Sequence, residues 1–241
     1  MVMTVLAGAQ GALPLAAKPV ECRVPGFQVD RIFALPLVMR AIEAKRLSIL
    51  VVGNGSSQLP GPTGNNVSYP VRLQAALAKK LPGVEVTVAT EIQPRRTSIE
   101  AVKVMPKALA VTKPTLVVWQ TGTVDAMQST DPDQFSRALD KGINIARSAG
   151  ADMIFVNAQY SPRTESMIAL GIYAENMRWA AMQHEVPLFD RFRLMQLWSD
   201  VGTFDLYSAT KKLDMAVAVH DCIGQLLADL VIEAARTPSG R

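Results

Sequence analysis

Short β-rich runs alternate with helix-length amphipathic segments from residue 47 almost to the end of the chain, and this alternation is what most constrains the fold. Residues 47–53 (LSILVVG) form a continuous apolar run closed by glycine, the pattern of a parallel strand buried on both faces. After a Gly/Pro/Asn-rich loop, Tyr69, Leu73, Leu77 and Lys80 mark one amphipathic helix. Residues 84–89 read as a second strand, and 97–111 as a helix that Pro106 should kink. A third strand at 115–120 (TLVVWQ), a helix at 135–148 and a fourth strand at 152–157 (DMIFVN) follow. A long helix at 165–184, a short fifth strand at 186–189 and a helical stretch from 208 to 236 complete the series. Strands joined through helices imply a parallel sheet covered on both faces. Five strands suit the flavodoxin-like order 2-1-3-4-5, whose ligand crevice opens where strands one and three diverge at their carboxyl ends. The loops that begin at Gly53 and Gln120 are therefore the places to seek a site.

At 241 residues, 49% apolar and 19% charged, the chain is long enough for one substantial core, and no repeat divides it. Residues 1–21 read as a signal peptide or N-terminal arm, 22–236 as a single domain and 237–241 as a flexible tail. The first seventeen residues carry no charge and end Leu13-Pro14-Leu15-Ala16-Ala17, resembling an apolar export segment with a small-residue cleavage site. No Lys or Arg precedes that segment, so a floppy apolar arm is the alternative. Export would place the mature protein in the periplasm or outside the cell. Beyond this segment no apolar run approaches a membrane span, and no stable span is expected. The net charge of +4 resides in short pairs such as Lys79-Lys80, Arg95-Arg96 and Lys211-Lys212, which argues against a nucleic-acid partner. Cys22 and Cys222 could join the arm to the last helix in an oxidising compartment, a closure worth about 4–5 kcal/mol in the chain-entropy account. Two unrelated buried thiols are the alternative. No Cys/His spacing points to a metal, and no cofactor is expected.

Four segments recur in a telling order. They are Gly53-Asn54-Gly55-Ser56-Ser57 with Ser68-Tyr69-Pro70, then Trp119-Gln120-Thr121-Gly122-Thr123-Val124-Asp125-Ala126, then Gln159-Tyr160-Ser161-Pro162, and finally Arg191-Phe192-Arg193-Leu194-Met195. Together they resemble a branch of the SGNH (GDSL) hydrolases, from about residue 22 to residue 232. The resemblance implies a three-layer α/β/α sandwich and an ester-cleaving ancestry: a Ser nucleophile, a His base, and an oxyanion hole of two amides and an Asn side chain. Carried over by position, the nucleophile falls on Gly55 and the Asn donor on Val124. The glycine-bearing loop falls on Thr90 to Arg96, which contains no glycine, and Pro94 offers no N–H. The terminal Asp-x-x-His falls on Lys211-Lys212-Leu213-Asp214, so Asp becomes Lys and His becomes Asp. With four signature elements replaced together, the resemblance implies a hydrolase fold without its chemistry.

The remaining residues offer few substitutes for that machinery. Ser56 and Ser57 neighbour the lost nucleophile, although Ser in such a turn more often bonds the backbone. Of the two histidines, His184 ends a helix and His220 lies inside the last one, where Asp221 cannot orient it. A Ser56–His220 pair is the least strained substitute. Asp125 and Asp214 form a conceivable acid/base pair, with solvated loop carboxylates as the bland alternative. Arg95, Arg96, Lys211 and Lys212 map near the carboxyl ends of the sheet, where they would make a cationic mouth if they converge. The expected ligand-binding set is Asn54, Ser56, Arg95, Arg96, Thr123, Asp125 and Lys211. The leading expectation is an exported non-catalytic protein that binds a small molecule or an acylated or anionic glycan. The rivals are an esterase or deacetylase with relocated residues, and a structural or assembly protein with a protein partner. An open crevice lined by Arg95, Arg96 and Lys211 favours the first, and a Ser–His contact near 3 Å the second. A crevice filled by Val124, Ile92 or Met215 favours the third.

Overall fold

The computed structural model describes residues 21–27, 32–61, 63–207 and 213–238. Strands β1 (Arg46–Gly53), β2 (Glu85–Ile92), β3 (Leu116–Gln120), β4 (Asp152–Val156) and β5 (Leu188–Phe189) form one parallel sheet in the order 2-1-3-4-5. Helices α1 (Pro36–Glu43) and α2 (Tyr69–Lys80) flank β1 in sequence, and α3 (Ser98–Thr112) links β2 to β3. After β3 come α4 (Thr123–Met127) and α5 (Pro132–Ser148); after β4 come α6 (Pro162–Glu165) and α7 (Leu170–His184). Beyond β5 lie α8 (Arg191–Asp200) and α9 (Leu213–Arg236).

The apolar run of β1 is continuous because both of its faces are covered. Leu47, Ile49 and Val51 join α1, α2, α8 and α9 in one core, while Leu50 and Val52 join α3, α5 and α7 in the other. The strand period of two thus sorts one segment into two layers. Arg46–Gly53 pairs with Glu85–Ile92 along its whole length, so the second strand runs three residues further than its apolar pattern indicates. That extension carries β2 to the crevice rim.

Helix boundaries follow capping chemistry. Thr97 and Glu100 form a capping box ahead of α3, and the helix passes through Pro106 without interruption. α5 starts at Pro132 rather than at 135, because Asp131 caps it by accepting from Gln134 N and proline suits the first turn. The long helix expected over 165–184 starts later, at Leu170, and a separate single-turn helix α6 capped by Ser161 ends where it was expected to begin. The stretch expected from 208 is described as helix from Leu213, with 208–212 outside the described residues. By length and hydropathy α9 could cross a membrane, yet half of its most apolar window is buried within the protein, against α2 and the sheet. Thr237, the first residue assigned to a tail, folds back onto the last turn of α9 through its N–H and hydroxyl.

Cys22 and Cys222 are joined in a disulfide that fastens the segment before α1 to α9. Trp198 Nε1 donates to the Cys22 carbonyl at 2.9 Å and Arg23 meets Asp229 at 2.8 Å, so the strap lies against α8 and α9.

Candidate functional site

The carboxyl ends of β1 and β3 open onto a crevice of about 720 Å³. Asn54, Gly55 and Ser56 line it from the loop after β1, Pro94 and Arg95 from the loop after β2, and Thr123 and Val124 from the start of α4. Gln159, Tyr160 and Ser161 come from beyond β4, and Arg191, Val219 and His220 from α8 and α9.

The loop after β1 makes a single tight turn at 55–57. Asn54 caps it, its Oδ1 accepting from Ser56 N and Ser56 Oγ at 3.1 Å each. Beneath it, Gln120 Oε1 accepts from Asn54 N at 3.3 Å and from Ser57 Oγ at 2.9 Å, and Ser57 Oγ also meets Tyr69 Oη at 3.1 Å. Ser57 is wholly buried in this network and belongs to the loop's scaffold. Burial pushes the Tyr69 hydroxyl above its ordinary pKa, with the Ser57 hydrogen bond opposing. Gly55, on which the resemblance puts the family nucleophile, lines the crevice. A Cβ built there would find its nearest neighbours in Pro94, at 3.8 Å and 3.9 Å, so a Cβ fits there without contact strain.

His220 lines the crevice at 5% exposure and accepts Tyr69 N–H at Nδ1, 3.0 Å away. A neutral ring with Nδ1 accepting carries its proton on Nε2. Burial, and secondarily the positive charge of Arg191, pull its pKa down to about 3, so the ring is uncharged at neutral pH. Among the described residues no hydrogen bond joins Ser56 to His220. The Ser56 hydroxyl instead donates to Asn54 and faces the guanidinium of Arg191 at 3.4 Å. Among the described residues neither a histidine nor a carboxylate hydrogen-bonds the Ser56 hydroxyl.

Arg191, on which the sequence reading placed no role, is 1% exposed and forms part of the crevice wall. Its Nη1 donates to Ser56 O at 3.0 Å and its Nη2 to Gln159 Oε1 at 3.0 Å. Burial draws its pKa down to about 10. The residue stood in a recognisable block, but a guanidinium buried without a carboxylate is a tertiary fact that sequence does not carry.

The structure thus gathers Asn54, Gly55, Ser56, Arg95, Thr123, Val124 and His220 at one crevice, with Arg95 exposed at its rim. Three expected members lie elsewhere. Arg96 is 7% exposed but turned into its own loop, paired with Glu91 Oε1 at 2.8 Å and Gln93 Oε1 at 2.7 Å. Asp125 is wholly buried, accepting from Ser98 N, Ser98 Oγ, Thr121 Oγ1 and Gly122 N, so its oxygens hold α3 and α4 together. Asp214 is exposed in the first turn of α9 and does not line the crevice, which leaves no Asp125–Asp214 acid/base pair there. Lys211 and Lys212 lie outside the described residues. His184 is partly buried against Asp140 Oδ1 at 2.8 Å, remote from the crevice. Val124 lines the crevice without filling it, and neither Ile92 nor Met215 is among its walls. Among the described residues no His, Cys, Asp and Glu cluster could hold a metal ion.

Over residues 21–237 the sequence matches the non-GDSL lipase-like family. No curated protein matches the chain by sequence. Solved structures share its architecture. TesA is 23% identical with a TM-score of 0.58, covering 78% of this chain and 98% of its own. The lipase/acylhydrolase from Enterococcus faecalis is 19% identical at a TM-score of 0.57, covering 81% and 99%. Axe2, an acetyl-xylooligosaccharide esterase from Geobacillus, is 14% identical at a TM-score of 0.61, covering 81% and 96%. At these identities the likeness establishes the α/β/α fold of the SGNH hydrolases.

Proposed function

This chain belongs to the non-GDSL lipase-like family, and from that premise we propose that it is a binding protein on an ester-hydrolase fold, active outside the cytoplasm. Its ligand is a small molecule or a glycan carrying an acyl or acidic group, held in the crevice at the carboxyl ends of β1 and β3. The observation that supports this reading is the pairing of an empty nucleophile position with an open pocket. Gly55 offers no hydroxyl, Ser56 lacks a base contact, and His220 gives its Nδ1 to a backbone amide, yet the crevice keeps its volume. A decayed enzyme with no further use for the site is under no pressure to keep such a pocket. Axe2, which shares the fold, is named for an acetylated oligosaccharide, and that suggests the ligand class. The Cys22–Cys222 disulfide supports an oxidising compartment.

Intact-mass analysis after exposure to a fluorophosphonate serine-hydrolase probe tests the non-catalytic part, with an active hydrolase run alongside. No adduct is expected on the wild-type protein while the control labels fully. Gly55→Ser is expected to fold with an unchanged melting temperature, since its Cβ has room, and to stay unlabelled because His220 has its Nδ1 taken by Tyr69 N–H and its proton on Nε2, leaving no free basic nitrogen. A stoichiometric adduct on Ser56 of the wild-type protein would overturn the reading in favour of an esterase with relocated residues.

A further inference from the structure

The crevice wall holds a buried positive charge that has no negative partner among the described residues. The Arg191 guanidinium has more N–H donors than the neutral acceptors it meets, which are Ser56 O, Ser56 Oγ and Gln159 Oε1. Its Nε is buried without a partner, and among the described residues no carboxylate lies within ion-pair distance. The contrast within the same protein is direct. Arg96, buried at 7% exposure, pairs with Glu91, and the half-buried Arg178 pairs with both Glu175 and Asp190. An unpaired charge taken out of water is costly, and an isolated ion at 1% exposure persists only where other parts of the fold hold it in place.

The groups around it repeat the imbalance. Asn54, 2% exposed, has its Oδ1 taken by Ser56 and its Nδ2 left without an acceptor. Gln120, directly beneath, has its Oε1 taken by Asn54 N and Ser57 Oγ and its Nε2 likewise unpartnered. His220 carries its proton on Nε2, since Nδ1 accepts from Tyr69 N. Asn54, Arg191 and His220 all line the cavity, and the first two bring to it buried N–H donors that have no acceptor among the described residues. Most of the remaining lining surface is apolar, from residues such as Leu59, Val124, Met195 and Val219, with Arg95, Thr123, Gln128 and Ser161 among them.

We propose that Arg191 and Asn54 form a subsite for a carboxylate, and that the ligand is an organic acid anion whose apolar substituent fills the crevice. A planar guanidinium and a neighbouring amide donor match the two oxygens of a carboxylate, and a monoanion balances the one buried charge. A neutral ester would leave that charge uncompensated. The inference rests on the crevice being a ligand site and is indifferent to whether Ser56 reacts, so a fluorophosphonate adduct would sink the non-catalytic reading and leave this one standing.

Titration calorimetry on the disulfide-bonded protein, with octanoate, 1-octanol, acetate and glucuronate as probes, tests it. Octanoate is expected to bind, with octanol and acetate each at least about tenfold weaker, because one lacks the charge and the other the chain. Arg191→Gln is expected to lower octanoate affinity at least about tenfold and leave octanol binding unchanged. Equal wild-type affinity for octanoate and octanol would overturn the carboxylate subsite without reference to any variant, so the test survives if Arg191→Gln fails to fold. Binding of glucuronate without octanoate would overturn the apolar substituent, and binding of none of the three carboxylates at millimolar concentration would overturn the whole.

Discussion

The proton state of His220 is fixed by its surroundings, and that has a measurable consequence. Burial first, and the charge of Arg191 second, hold its folded-state pKa at about 3, below the ordinary histidine value. Between that value and the unfolded pKa the unfolded chain binds more protons, so stability rises with pH across this window. The contribution is fully present above about pH 6.5 and is lost as pH falls toward 3. By pH 4 the loss from this one residue is about 3 kcal/mol. His220→Asn keeps an acceptor for Tyr69 N–H but cannot titrate, so thermal unfolding followed from pH 7 to pH 4 should fall less for the variant than for the wild type. Parallel curves would show that the ring titrates near its ordinary value. At this scale the sequence was legible where the missing atom decides the matter, as at Gly55 and Val124. It was opaque where partners decide, since Arg96 and Arg95 are adjacent residues of one type, yet one is paired inside its loop and the other stands at the rim.

At the scale of elements, strands were easier to read than helix breaks. β1, β3 and β4 are buried on both faces, so their composition alone marks them. The interruption between α6 and α7 has no such mark. Ala169 leaves helical geometry at ψ 64, but the residues from Ser166 to Ala169 include no proline or glycine, and packing rather than propensity sets the break. α1 is fixed by a partner distant in sequence, since Asp152 Oδ2 accepts from Leu37 N and Val38 N at 2.8 Å and 2.9 Å. The contact between α2 and α9 turns on a single small residue. A Cβ on Gly224 would lie 2.5 Å from Arg72 Cβ and 2.9 Å from the backbone at Arg72 C and Leu73 N, none of which can rotate aside. Gly224→Ala must therefore push the helices apart despite alanine's better helix propensity. It should destabilise the protein by about 1–3 kcal/mol in chemical denaturation. A stabilised variant would mean that α9 slides along α2 without loss.

For the whole molecule, strand order and the place of the crevice followed from alternation alone, because a right-handed parallel sheet of five strands has few ways to be wound. The bond from Cys22 to Cys222, which the sequence offered as one of two alternatives for its cysteines, is formed, and it is decisive in holding the segment before α1 in place. It closes a loop of 200 residues, so nearly the whole domain lies between its ends. In the chain-entropy account such a closure restricts the unfolded chain by about 5 kcal/mol, and the loss acts on the unfolded state rather than on any contact in the crevice. Two noncovalent ties, Trp198 Nε1 to the Cys22 carbonyl and Arg23 to Asp229, persist when the bond is cut. The Cys22→Ala/Cys222→Ala protein should therefore keep its fold, and with it the ligand preference of the crevice, while melting roughly 10 °C lower than the oxidised wild type. Reduced wild type should melt with the double variant, since both lose the same restraint. A double variant that melts with the oxidised wild type would place the strap's stability in its packing against α8 and α9. One that loses octanoate binding while still folded would show that the strap also shapes the crevice.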